Sequence, residues 1–355
     1  MPFFGGPLEE LAEFRAVKDQ IERGRGPIMV RGCLASQKAH LIHELSGLAE
    51  RRFIITYSET AARELCEDLR FFDREVLYYP VKDLLFFDAD VKGNEVTAAR
   101  IRVLKEMLEK PSWTVVTTVN ACMEPLPSRD DWAGGCIRID MDTKIPDIGA
   151  FARELVELGY KRETQAEAPG QFAVRGGLID IYPLCEDDPV RIELWGEEID
   201  SIRTYDAAGQ RSLGELEYAE IFPAALEPAD AEGCSFITYA GEDALIVLDE
   251  PAHIQEMSEA VRSEFTDSIR RRKEQGMDVH RAVVMDYDSL CEYMSTGKTV
   301  AVSGFSATAP GIKIRKQYQL ETHGMERYAE NAGMLRDDLR SWADGGWRVD
   351  RKSVV

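Results

Sequence analysis

Short apolar runs alternate with longer amphipathic ones over the first third of the chain. The runs "PIMV" (27–30), "FIITYS" (53–58), "EVLYYP" (75–80) and "WTVVTTV" (113–119) have the length and β-branched content of buried strands. Between them lie "SQKAHLIHELSGLAE" (36–50), "TAARELCEDLRFF" (60–72) and "GNEVTAARIRVLKEMLEK" (93–110), which read as helices. An opening helix is expected over 8–24, where Leu8, Leu11, Val17 and Ile21 fall near helical spacing. Strand and helix in strict alternation predict a parallel sheet with helices on its faces.

The pattern changes near "MEPLPSRDDWAGG" (123–135), where Pro, Ser, Asp and Gly cluster. One helix follows, "PDIGAFARELVELG" (146–159), and then four closely spaced runs: "QFAVRG", "LIDIYP", "VRIELWG" and "EIDSIRTYD". Connections this short make hairpins and leave no room for crossover helices, so the segment reads as an antiparallel α+β unit. After "PAALEPADAEG" (223–233) the α/β pattern resumes with "FITYA", "ALIVLDEP", a helix over about 252–275, "VAVSGF" and "GIKIRKQYQLE". The fold expected is one α/β domain interrupted by an antiparallel insertion: residues 1–135 and 224–325 form the outer domain, and 136–223 the inserted one. In 329–346, Leu335, Leu339 and Trp342 share a helical face, and "WRV" (347–349) opens a strand-like run. We read 326–355 as the start of a further domain, whose helix is mobile in this fragment for want of a cover on its apolar stripe.

Composition narrows the classes. The 355 residues suffice for two or three domains with cores of their own. A net charge of −21 disfavours the chain as a whole as a nucleic-acid binder. The seven cysteines are scattered and never spaced C-x-x-C, which argues against a disulfide framework or zinc ribbon and fits a reducing cytoplasm. No apolar run reaches membrane-span length.

The candidate chemistry starts at "RGCLASQKAHLI" (31–42), between an expected strand and an expected helix. Gly32 and Lys38 sit at the first Gly and the Lys of a phosphate-binding loop, G-x-x-x-x-G-K-[ST]. Gln37 replaces the second Gly and crowds the loop. Ala39 replaces the hydroxyl that holds magnesium. Three readings stand: an ordinary strand-to-helix turn, a decayed phosphate loop, or, least of the three, a working ATPase site. "LIVLDEP" (245–251) ends in Asp249 and Glu250, like the acidic pair that organises magnesium and water in such sites. His40 and His43 with Glu44 lack the spacing of a zinc site; one partly buried and one exposed His are expected. "RRRKEQG" (270–276) reads as cations at a helix end. No catalytic residue and no metal ligand emerge.

In the inserted unit, alternation puts Val190, Ile192 and Leu194 on one face of a strand and Arg191, Glu193 and Trp195 on the other. Arg175 stands on the same outer face by the same logic. These charges either solvate a sheet or meet a partner.

The segment 171–212, "QFAVRGGLIDIYPLCEDDPVRIELWGEEIDSIRTYDAAGQRS", resembles the signature shared by the excinuclease subunit UvrB and the bacterial transcription-repair coupling factors. "YYPVKDLLFFDADVKGNEVTAARIRVLKEML" and "TVVTTVNACMEPLP" are similar to matching parts of the first domain, and "DAAGQRS" and "LDEP" lean toward the coupling factors. The resemblance implies an N-terminal adaptor module that recruits UvrA through Arg175, Arg191 and Glu193. It also implies a degenerate nucleotide site (Gly32, Gln37, Lys38, Ala39, Asp249, Glu250), hence no turnover and no cofactor here. ATP, magnesium, RNA polymerase and double-stranded DNA would then belong to other regions of the parent, a DNA translocase. The tyrosine-rich hairpin of UvrB finds too little room at 80–94. The alternative is an active UvrB-like, ATP-dependent helicase core for damage verification. Tight magnesium-ATP binding would mark it.

Overall fold

The computed structural model describes residues 8–34, 36–82, 90–228, 233–276, 283–306, 308–321 and 331–346. Residues 1–320 form one compact unit and 321–355 a second.

In the first unit, β1 (Ile28–Arg31), β2 (Arg51–Thr56), β3 (Val76–Tyr78) and β4 (Trp113–Thr118) come from the first third of the chain. They share a seven-stranded sheet with β13 (Leu245–Asp249), β14 (Thr299–Ser303) and β15 (Lys316–Gln319), in the order β15-β1-β14-β13-β2-β4-β3. Every pairing is parallel. Both faces are covered, and the period of two shows it. Met29, Phe53, Ile246 and Leu248 pack into one core, while Val30, Ile54, Leu245 and Val247 pack into the other. Buried polar groups tie down the edge near β3: Arg100 meets Glu124 at 2.5 Å, and the Lys82 N–H donates to the other oxygen of Glu124. The Tyr79 ring stacks on Phe236 at 3.6 Å.

The inserted domain carries β6 (Lys161–Arg162), β7 (Gln171–Arg175), β8 (Leu178–Ile181), β9 (Val190–Trp195), β10 (Glu198–Tyr205) and β11 (Ser212–Glu215) in the order β11-β10-β9-β8-β7-β6. All neighbours are antiparallel except β6 and β7. One face of this sheet is dry. Phe172, Ile179, Ile181, Val190, Ile192, Ile199 and Ile202 bury against Phe151, Ala152 and Leu155 of helix Ile148–Glu157. Asp147 caps that helix through the Gly149 N–H. A separate pair, β5 (Ile137–Asp140) with β12 (Tyr218–Ile221), brings the two ends of the insertion side by side. Trp132 stacks on Phe222 at 5.0 Å beside this entry and exit.

Two expectations change, and one contact was not foreseen. "FITYA" is a 3-10 turn, Phe236–Ala240, because the Ser235 hydroxyl caps it and its two aromatics are drawn into the core. The β5–β12 pair is a contact between distant segments with no local turn to announce it. His40 and His43 are both half-buried, stacked near Phe72 at 5.6 and 4.7 Å. The slot at 80–94 lies partly outside the described residues, since 83–89 are not among them.

In the second unit, helix Ala332–Asp344 is capped by Asn331, which accepts the Met334 N–H. No residue of this helix is buried; Leu335, Leu339 and Trp342 are half-buried. The rest of the segment 326–355 lies outside the described residues except Asn331, Gly345 and Gly346.

Candidate functional site: a filled phosphate loop and a charged sheet face

The parallel sheet places the first candidate. β1 leads through Gly32 to helix Ser36–Leu45, and β13, separated from β1 by β14, has Asp249 and Glu250 at its carboxyl end. Ligand sites in such sheets lie beyond these ends. Here the Lys38 ammonium sits 2.7 Å from Asp249 Oδ1 and 2.7 Å from Glu250 Oε1. Asp249 Oδ2 accepts from the Thr56 hydroxyl at 2.8 Å. Glu250 Oε2 accepts from the Ser303 hydroxyl at 2.7 Å, and its Oε1 also accepts from the Gly304 N–H at 2.8 Å. Burial by itself would lower the Lys38 pKa, but the two carboxylates more than offset it and hold it above the ordinary value. Burial likewise pushes Glu250 up, and the bonds from Lys38, Gly304 and Ser303 bring it below the usual carboxylate range. Glu250 is left-handed, with φ of 55°, which costs a residue with a β-carbon about 1 kcal/mol. That conformation brings its carboxylate to these donors.

Within the loop one backbone N–H is already answered by the protein. The Gln37 side-chain oxygen accepts the Leu34 N–H at 3.0 Å, a group of the kind that a phosphate loop offers its ligand. Ala39 is fully buried and has no hydroxyl. Gly32 has φ of +85°, and a Cβ there would fall 2.1 Å from the Leu320 carbonyl oxygen, so this glycine serves a close backbone approach. The residues present do not fit a magnesium nucleotide. The magnesium hydroxyl is missing, and the lysine and a loop N–H are already bound. Thr56 and Ser303 were not identified from sequence; polar residues at strand ends carry no periodic signal.

The second candidate is the outer face of the inserted sheet. Register places Asp180 opposite Arg191, and Arg191 opposite Arg203. Asp180 is only 1% exposed although it points away from the apolar core. Arg191 grips it with two bonds, Nε to Oδ1 at 2.6 Å and a terminal nitrogen to Oδ2 at 2.8 Å. Arg175 adds a third at 2.5 Å. The Arg191 guanidinium also lies 4.2 Å over the Tyr205 ring and donates to Gln210. Glu193 pairs with Arg203 and accepts from Ser201. Trp195, next on the same face of β9, is 83% exposed.

Arg175, Arg191 and Glu193 do share the outer face, but the expectation that all three stand open to solvent needs correcting. The Arg175 side chain is 39% exposed and that of Glu193 is 30%, while that of Arg191 is only 11%. Arg191 is drawn down because a buried carboxylate must be neutralised, and Arg does so two-pronged. Asp180 at the centre was missed. Its signal was in "LIDIYP", where one carboxylate interrupts an apolar strand.

Comparison with known proteins gives a family match over the inserted domain and relatives over most of the chain. Residues 137–226 match the model of the UvrB interaction domain family. The chain is similar to the transcription-repair-coupling factor of Bacillus subtilis (strain 168), 28% identical over 336 residues, which cover 77% of this chain and 28% of that protein. It is also similar to the transcription-repair-coupling factor of Staphylococcus aureus (strain bovine RF122 / ET3-1), 33% identical over 201 residues, covering 56% of this chain and 17% of the relative. The chain therefore spans roughly a quarter or less of the length of these relatives.

Proposed function

We propose that this chain, which carries a UvrB interaction domain and shares most of its length with transcription-repair-coupling factors, is an adaptor. It recruits UvrA for transcription-coupled nucleotide excision repair, and it turns over no nucleotide itself. Contacts with RNA polymerase and double-stranded DNA, and an ATP-driven motor, we assign to other parts of the coupling factor. The observation that carries the reading is the outer face of the inserted sheet. There Asp180 holds two guanidinium groups in place, and an exposed tryptophan, Trp195, stands further along the same face of β9. Arg175, whose side chain is 39% exposed, is the guanidinium a partner's carboxylates or carbonyls can reach, while Arg191 is held below it. Trp195 offers the large apolar anchor typical of interface hot spots. The same domain has nine Lys and Arg against nineteen Asp and Glu over 136–223, which suits a protein partner better than a DNA backbone.

The test is a titration of UvrA against the wild type, Arg175→Glu and Trp195→Ala, with melting curves alongside. Each variant should bind at least about tenfold more weakly at nearly unchanged melting temperature. Wild-type affinity in both variants refutes this face as the site. The competing reading, an active UvrB-like helicase core, is disfavoured by the filled loop around Lys38. Magnesium-dependent ATP hydrolysis by the isolated chain would establish it instead.

A further inference from the structure

The cluster around Lys38 does more than exclude a ligand. Lys38 and Thr56 come from the segment before the insertion, and Asp249, Glu250 and Ser303 from the segment after it. The Lys38–Asp249 contact spans 211 positions of sequence, and Thr56–Asp249 spans 193. All four carboxylate oxygens of the acidic pair accept a bond, and together these bonds join the ends of β2, β13 and β14 to the helix after β1. In a working phosphate loop the lysine and the loop N–H groups are held by nucleotide and let go when it leaves. Here both kinds of donor are answered by protein oxygens, from Asp249 and Glu250 for Lys38 and from Gln37 for Leu34.

We propose that Lys38, Asp249 and Glu250 form a permanent ion-pair staple that takes the place of nucleotide. It clamps the two halves of the interrupted α/β domain, so that the inserted domain is framed in one nucleotide-independent state. The inference concerns the outer domain and stands whether or not UvrA is the partner. It differs from motif logic in one respect. Restoring Gln37→Gly and Ala39→Thr does not restore binding, because the lysine remains held by the two acids and Gly32 remains closed against Leu320.

The test uses the full chain and three arms. In the first, magnesium-ATP, magnesium-ADP or inorganic phosphate is added to the wild type and to the Gln37→Gly/Ala39→Thr variant; neither melting temperature should move. In the second, Lys38→Met should lower the melting temperature by about 5–10 °C, since it orphans the buried Asp249 and the half-buried Glu250 carboxylates. Hydrogen exchange should quicken in β1, β13 and β14 and stay unchanged in β8 and β9. In the third, Lys38→Met combined with Asp249→Asn and Glu250→Gln should melt higher than Lys38→Met alone, because no charge is left unpaired. If Lys38→Met does not fold, recovery of folding in the triple variant supports the staple equally. Stabilisation by magnesium-ATP in either protein of the first arm, an unchanged melting temperature for Lys38→Met, or a triple variant no better than the single one overturns the proposal.

Discussion

Each of the two main sheets carries a carboxylate–cation cluster, and the two are built in opposite proportion. At the end of β13 two carboxylates enclose one ammonium, and the Lys38 side chain is 13% exposed. On the outer face of β8 and β9 one buried carboxylate holds two guanidinium groups, one of them 39% exposed. Burial demands neutralisation in both places. In the first the bonding capacity is used up internally, so the cluster closes on itself. In the second the fixed carboxylate is the minority partner, and one of its two cations, Arg175, stays 39% exposed. The same physics thus makes a clamp in one sheet and a presented surface in the other, and the deciding variables are stoichiometry and depth.

The strongest way to break this comparison is to remove the minority partner of the outer face. Asp180→Ala should destabilise the inserted domain by about 3–5 kcal/mol, because two arginines lose the carboxylate that holds them. Exchange rates in β8 and β9 would rise while those in β1 and β14 would not, and uniform loosening of both sheets contradicts the idea.

Next in size is the effect of pH on the clamp. The Glu250 pKa is depressed in the folded protein, so its stabilisation is present above the unfolded carboxylate pKa and fades as pH falls through the folded one. The Lys38 pKa is raised, so its contribution holds below the unfolded lysine pKa and is lost as pH rises through the folded one. Without Lys38 the first of the groups that lower it is gone, so the Glu250 pKa rises from its wild-type position. The melting deficit of Lys38→Met should therefore be largest near neutral pH and shrink as pH approaches the carboxylate range. A deficit that does not change with pH rejects the electrostatic account.

Smaller effects separate the two arginines of the outer face. Arg191→Ala should cost about 1–3 kcal/mol, since a buried acceptor loses its two-pronged donor. Arg175→Ala, at a far more exposed side chain, should cost under about 1 kcal/mol. Equal costs, measured by denaturant unfolding, would falsify the depth argument. Smallest of all on folding is Trp195→Ala, within about 0.5 kcal/mol of wild type, because the ring is 83% exposed and packs little. Its effect belongs to partner binding, and a variant that melts much lower without loss of affinity reverses the assignment.

Much of the architecture was legible as pattern. Alternating apolar runs and helices announced the parallel sheet, and close-spaced strands announced the antiparallel insertion, because periodicity reports which faces are buried. Gln37 and Ala39 were readable as departures from a loop motif, and "VRIELW" as a two-faced strand. What only the tertiary structure decided were the partners. β13 and β14 enter between β1 and β2, β12 returns to β5, and Lys38 meets acids more than 200 positions away. Alternation told which face Arg191 occupies but not that Asp180 lies opposite and draws it below the surface. A single chain records period and residue type locally. Depth, register and charge pairing depend on which distant segments share a sheet, and they set whether a charge is spent inside the protein or offered to another.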